Sequence, residues 1–132
     1  MCLRAVSGSG KSLLTNMLCK NIGYVSCSAD DFFINENGEY VFDATKIHLA
    51  HLDCQKKCVE ALKEPTVEVV IIDNTNVDDR AIKVYQDLAV KYDATFISLV
   101  VENRHGGENV HSVPSFILDK QEAKIKESLK LR

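Results

Sequence analysis

No run of apolar residues in this 132-residue chain is long enough to cross a bilayer, and no apolar stretch of signal-peptide type opens it. A broad positive surface is also missing. Sixteen Lys and Arg against 19 Asp and Glu leave a formal charge of −3, which argues against a protein that coats nucleic acid. A single chain end can still be recognised locally. The cysteines, Cys2, Cys19, Cys27, Cys54 and Cys58, are odd in number. They fit reduced thiols better than a disulfide framework, so no disulfide partner is expected. Internal repeats and low-complexity tracts are absent, so one domain spanning residues 1–132 is expected. Together these absences predict a soluble protein of the cytosol or nucleus, away from membranes, and leave its oligomeric state open.

What is present begins with Ala5-Val6-Ser7-Gly8-Ser9-Gly10-Lys11-Ser12. A short apolar strand containing Cys2, Leu3 and Val6, a glycine-rich turn, Gly-Lys-Ser and then a helix make the pattern of a phosphate-binding loop. Gly8 and Gly10 let the backbone curl around an anion, and Lys11 supplies a point charge. Ser7, Gly8, Ser9, Gly10, Lys11, Ser12 and Leu13 are therefore the expected nucleotide contacts. Leu13, Leu14, Met17 and Leu18 recur at helical spacing, and Gly23 is a reasonable stop. Ala5 stands where the pattern has its first glycine.

Tyr24 to Ser28 reads as a second strand, with Ala29-Asp30-Asp31 at its carboxyl end, where ligands sit in open parallel sheets. Phe32 to Asp43, with Asn37-Gly38 at its centre, reads as a hairpin-like excursion. A helix is expected from about Ala44 to Lys63, capped by Asp43 or Thr45, with Leu52, Val59 and Leu62 as its apolar stripe. Val67 to Ile72 is a nearly continuous apolar run, the mark of a strand buried on both faces. Asp73 ends it, Asn74-Thr75-Asn76 make a polar loop, and Asp78 or Asp79 caps a helix carrying Ile82, Tyr85, Leu88 and Ala89. Ala94 to Val101 is predicted as another buried strand. Glu102 to Ser112, holding Arg104, His105 and His111, reads as a mobile loop before a last helix from Pro114 or Ser115, edged by Leu118, Ile125 and Leu129. The alternation of strand and helix predicts an α/β domain with a parallel sheet.

Phosphoryl transfer needs a phosphate cradle, a metal, a base and positive charge on the transferring group. Lys11 and the loop amides suit the first, and Ser12 with Asp73 suits Mg²⁺. Asp30 suits the base, and Arg104, on a lid loop of about residues 102–115, suits the last. His48, His51, Cys54 and Cys58 fall on roughly one side of a helix. Four ligands on one straight helix do not surround a metal tetrahedrally, so they read as packing residues near an acceptor groove rather than a zinc site. Lys46, Lys56 and Lys57 read as solvated.

AVSGSGKS at Ala5–Ser12, SADDFF at Ser28–Phe33, NGEYVFD at Asn37–Asp43, AHLDCQK at Ala50–Lys56, VVIIDNTN at Val69–Asn76 and NRHGGENVHSVP at Asn103–Pro114 follow one another along nearly the whole chain. In this order they resemble the P-loop polynucleotide 5′-hydroxyl kinases, most closely the branch related to the kinase-like domain of Nedd-type ubiquitin-ligase-binding proteins. The resemblance implies a three-layer P-loop kinase fold, with a short central parallel sheet and helices on both faces. It implies ATP and Mg²⁺ as cofactors and a nucleic-acid 5′ end as acceptor, with Asp30 as general base and Arg104 as the lid arginine on the donor phosphates. Phe33 stands where phage-type members carry an arginine, and Ala5 and Ser7 where glycine and proline are usual. A kinase of a nucleoside or small hydroxylated metabolite, and an ATP-binding module without turnover, remain alternatives on the sequence.

Overall fold

Strand β1 (Cys2–Arg4) forms the middle of the protein because both of its apolar side chains are fully buried, Cys2 on one face of the sheet and Leu3 on the other. Side chains alternate along a strand, so two buried neighbours require cover on both faces. The computed structural model, which describes residues 1–107 and 112–132, supplies that cover. Around β1 the elements run α1 (Lys11–Leu18), β2 (Tyr24–Cys27), α2 (Ile47–Lys63), β3 (Val69–Asp73), α3 (Asp79–Lys91), β4 (Ser98–Val100) and α4 (Ser115–Glu127). Single helical turns at Asp30–Phe33 and Ala44–Lys46 interrupt the stretch between β2 and α2.

All strand pairs are parallel, in the order β2-β3-β1-β4. The chain steps from β1 out to β2 in one direction and returns through β3 to β4 in the other. Because parallel crossovers are right-handed, this reversal puts α1 on the face opposite α2 and α3, giving a three-layer α/β arrangement. Cys2, Val25, Cys27, Val70 and Ile72 pack with Ala50, Cys54 and Cys58 of α2 and Ile82 and Tyr85 of α3. Leu3 and Ile71 fill the other face. Each fully buried Leu or Ile contributes roughly 1.5–3 kcal/mol.

Several predicted elements shift. The buried stripe of α2 is Ala50, Cys54 and Cys58, four residues apart, whereas Leu52 is 58% exposed. The small side chains of Ala50, Cys54 and Cys58, rather than Leu52, pack into the core cluster. β4 is shorter than the predicted 94–101 strand, and its Ser98 and Leu99 are exposed, because it pairs with β1 alone as an edge strand. Leu129 falls beyond the end of α4 and is exposed, leaving Ile125 as that helix's buried anchor. The excursion after β2 closes through a single antiparallel bridge, Ile34 with Tyr40, rather than a full hairpin. Asp43 accepts from Thr45 N at 3.0 Å and caps the Ala44–Lys46 turn, so α2 begins only at Ile47, without a side-chain cap, whereas Asp78 accepts from Ala81 N at 3.0 Å and caps α3. Among the described residues no helix is long and apolar enough to cross a membrane.

Candidate functional site

Parallel pairing brings the carboxyl ends of β1, β2 and β3 to one edge, and the three loops that leave them are stitched together there. Ala5 N donates to Thr75 O at 2.9 Å. Asn76, 4% exposed, donates through Nδ2 to Leu3 O at 2.7 Å and Asn74 O at 3.2 Å. Asn74 Oδ1 accepts from Ala29 N at 2.8 Å, while Ser28 Oγ donates to Asp73 O at 3.1 Å and accepts from Asp30 N at 3.2 Å. The polar Asn74-Thr75-Asn76 loop is thus an internal clamp. Nothing in its composition separated it from a solvated loop, because only the neighbouring strand ends create its partners.

The loop after β1 turns through Gly8 (φ 86°) and Gly10 (φ 91°) into the N-terminus of α1. Gly10 heads the helix without a side-chain cap, and its carbonyl accepts from Leu14 N at 3.1 Å. Ala5 is buried, so the smallest side chain is what the loop accommodates at its start. Ser9 is buried with an unpartnered Oγ among the described residues. Ser7 N already donates to Gln121 Oε1 of α4 at 3.0 Å. Lys11 is half-buried and has no ion pair among the described residues. Ser12 and Leu13 are exposed on the first turn of α1.

An uncapped helix start, two left-handed glycines and a lysine without a counter-charge suit a phosphate. The oxygen donors Ser12 Oγ and the Asp73 carboxylate suit a hard divalent cation such as Mg²⁺. Asp73 is in register with Leu3, one residue before Arg4, which sets it level with the root of the loop.

Asp30 opens the helical turn after β2, exposed to solvent, and its Oδ1 accepts from Tyr40 Oη at 3.3 Å. Burial, the Asp30 charge and this bond push the Tyr40 hydroxyl up to about 12. Phe33 is buried, edge-on to Phe32 and Tyr40 and 5.1 Å from the Phe42 ring, so it belongs to the core.

The structure does not bring Arg104 to the loop. Its side chain is 86% exposed and pairs with Glu102. His105 takes that place: Nε2 lies 3.1 Å from Ser9 O, and Nδ1 accepts from Gly107 N at 2.9 Å. A neutral ring that accepts at Nδ1 carries its proton on Nε2, so His105 donates to Ser9 O. A Cβ added to Gly10 would collide with this imidazole. His111 and the rest of 108–111, part of the predicted lid, lie outside the described residues. On α2, Cys54 and Cys58 are buried in the core whereas His48 and His51 are exposed, so the four do not converge. Among the described residues no group of three or more His, Cys, Asp or Glu is arranged to hold a metal.

Arg4, 3% exposed, is a further residue that the sequence reading passed over. Its guanidinium donates to Asn76 O at 3.0 Å, Val77 O at 3.3 Å and Ser128 O at 3.4 Å, and to the Ser128 hydroxyl. With Lys124 paired to Asp78 at 3.0 Å, it moors the end of α4 beside the β3 loop.

These features define an α/β protein with a glycine-rich loop and two carboxylates at the carboxyl edge of a parallel sheet. No known family profile matches the chain. It is related to human NEDD4-binding protein 2, with 40% identity over 91 residues, 68% of this chain. The chain spans about a twentieth of that protein, since the match covers 5% of its length.

Proposed function

We propose that the chain is a P-loop kinase domain that transfers the γ-phosphate of ATP to the 5′-hydroxyl of a polynucleotide. The observation that carries this reading is the convergence of the Lys11 loop, Asp73 and Asp30 at one sheet edge, held by backbone and Asn74 hydrogen bonds. Related sequence in NEDD4-binding protein 2 supports a shared domain, and the resemblance of the motifs to 5′-hydroxyl kinases supports the acceptor.

In this mechanism the loop amides, α1 and Lys11 hold the donor phosphates, so charge that grows on the leaving ADP oxygen meets fixed positive ends. Asp30 takes the proton of the acceptor hydroxyl as its oxygen bonds to the γ-phosphorus, and the bond to the β–γ bridging oxygen breaks. Ser12 and Asp73 are the residues that would hold Mg²⁺, which supplies charge neutralisation on the phosphates. The Ser7 amide contributes to the donor site only on leaving Gln121. Arg104 reaches the phosphates only after releasing Glu102 and swinging with its loop, the kind of closure that completes many phosphotransfer sites.

The test is incubation of the chain with Mg²⁺, labelled ATP and 5′-hydroxyl oligonucleotides, single-stranded and nicked. Label on the oligonucleotide 5′ end is the expected result, and no transfer to any of them overturns the reading. Preferential labelling of nucleosides or sugars would assign a metabolite kinase. ATP binding that depends on Lys11 without any transfer would assign a binding module.

A further inference from the structure

We infer that Tyr40 is a positioning residue for Asp30, holding one carboxylate oxygen so that the other is presented to the acceptor hydroxyl. The inference rests on the proposed phosphotransfer. Asp30 sits on an exposed single helical turn, where an aspartate side chain has several rotamers open to it. A general base must stand within hydrogen-bond reach of the proton it removes, in one orientation.

The segment after β2 is built to hold the Tyr40 hydroxyl against that carboxylate. Asn35 Oδ1 closes the turn by accepting from Asn37 N at 3.0 Å and Glu39 N at 2.9 Å, and Asn35 N donates to Glu39 O at 2.9 Å. Val41 N donates to Phe33 O at 2.8 Å, and Ile34 bridges Tyr40. The Tyr40 ring then lies edge-on to buried Phe33 at 6.1 Å and stacked at 17° on Phe42, 6.4 Å away. Ring and backbone fix the hydroxyl, and the hydroxyl donates to Asp30 Oδ1 at 3.3 Å. With its ionisation pushed up to about 12, the phenol remains a donor throughout the neutral range.

Stability gives little reason for the bond. Both partners are exposed, so the bond's net contribution to folding is small. Orientation of the base is where it has an effect.

Tyr40→Phe removes the hydroxyl and keeps the ring. With the intact chain, kcat for 5′ phosphorylation should fall about tenfold, a part of what a positioned base supplies, while KM for ATP and the melting temperature stay as in the wild type. In an Asp30→Asn background the same substitution should have no further effect, because the two residues act as a unit. A Tyr40→Phe rate equal to wild type, or an undiminished fall in the Asp30→Asn background, overturns the inference while leaving the proposed function standing. A wild-type chain that transfers nothing overturns both. A fall in kcat accompanied by a lower melting temperature and a raised KM for ATP would assign Tyr40 a structural role instead, and overturns the inference too.

Discussion

The Asn74 side chain accepts a hydrogen bond from Ala29 N at 2.8 Å, joining the loop after β3 to the residue just before Asp30. Its amide nitrogen faces Tyr85 Oη at 3.4 Å and Cys54 Sγ at 3.5 Å, so the same side chain anchors in the core beneath α2 and α3. Asp30 is therefore placed by a buried asparagine from the loop after β3. Asn74→Ala leaves the Ala29 amide without a protein acceptor, which should cost about 1–3 kcal/mol. A lower melting temperature together with reduced phosphotransfer is expected. Full activity in a stable Asn74→Ala variant would separate Asp30 from this anchor.

Lys11 is the donor-side counterpart. Its ammonium has no carboxylate among the described residues, so Lys11→Ala should leave the fold intact. Titration calorimetry with Mg²⁺-ATP should show a Kd raised by roughly 10- to 100-fold, the equivalent of one charged hydrogen bond of about 1.5–3 kcal/mol. Unchanged affinity would move the phosphate site away from this loop.

For the base, Asp30→Asn keeps the shape of the side chain, and with it the acceptor for Tyr40, but removes the proton-accepting charge. Single-turnover rates should fall by roughly 10² to 10⁴-fold with ATP affinity preserved. A wild-type rate would send the search to another carboxylate, with Asp31 the neighbour to try first.

Gly10 is constrained twice, by a φ of 91° and by the His105 imidazole above it. Gly10→Ala should cost about 1–2 kcal/mol for the left-handed backbone and expel His105 from the loop. The His105 ring resonances in an NMR spectrum would then shift towards those of a solvated histidine, and their persistence in place would contradict the contact.

The buried thiols predict an alkaline limit to stability. Burial raises Cys2 and Cys27 from 9.0 to about 12, and Cys58 to about 11. The folded state thus holds these protons more tightly than the unfolded chain. Their stabilising effect is complete below 9.0 and is lost progressively as pH rises from 9.0 through the folded values of about 11 to about 12. Chemical denaturation midpoints should fall steeply over that window. At neutral pH a thiol reagent should label Cys19, the half-buried cysteine, ahead of the other four.

Much of the fold was legible in the sequence because periodicity is a local property. The apolar run before Asp73 and the cap at Asp78 are each decided within a few residues, and each fell where the pattern put it, whereas α1 starts after Gly10 as expected but ends at Leu18 rather than near Gly23, with Leu13 and Met17 exposed. Leu52 and Leu99 misled for one reason: an apolar side chain announces a tendency to be buried but not the space available for it. Cys54 took the position against the sheet, and β4 was left at the edge.

For the candidate site, the sequence determined the kinds of group available: a glycine-rich turn, Lys11, Ser12, Asp30 and Asp73. Tertiary structure decided which of them meet. Whether Arg104 or His105 faces the loop, whether Asn74 is solvent or scaffold, and which ring holds the Asp30 carboxylate all depend on contacts between segments distant in the chain. Such contacts follow from strand order and crossover direction, and no local spacing encodes them.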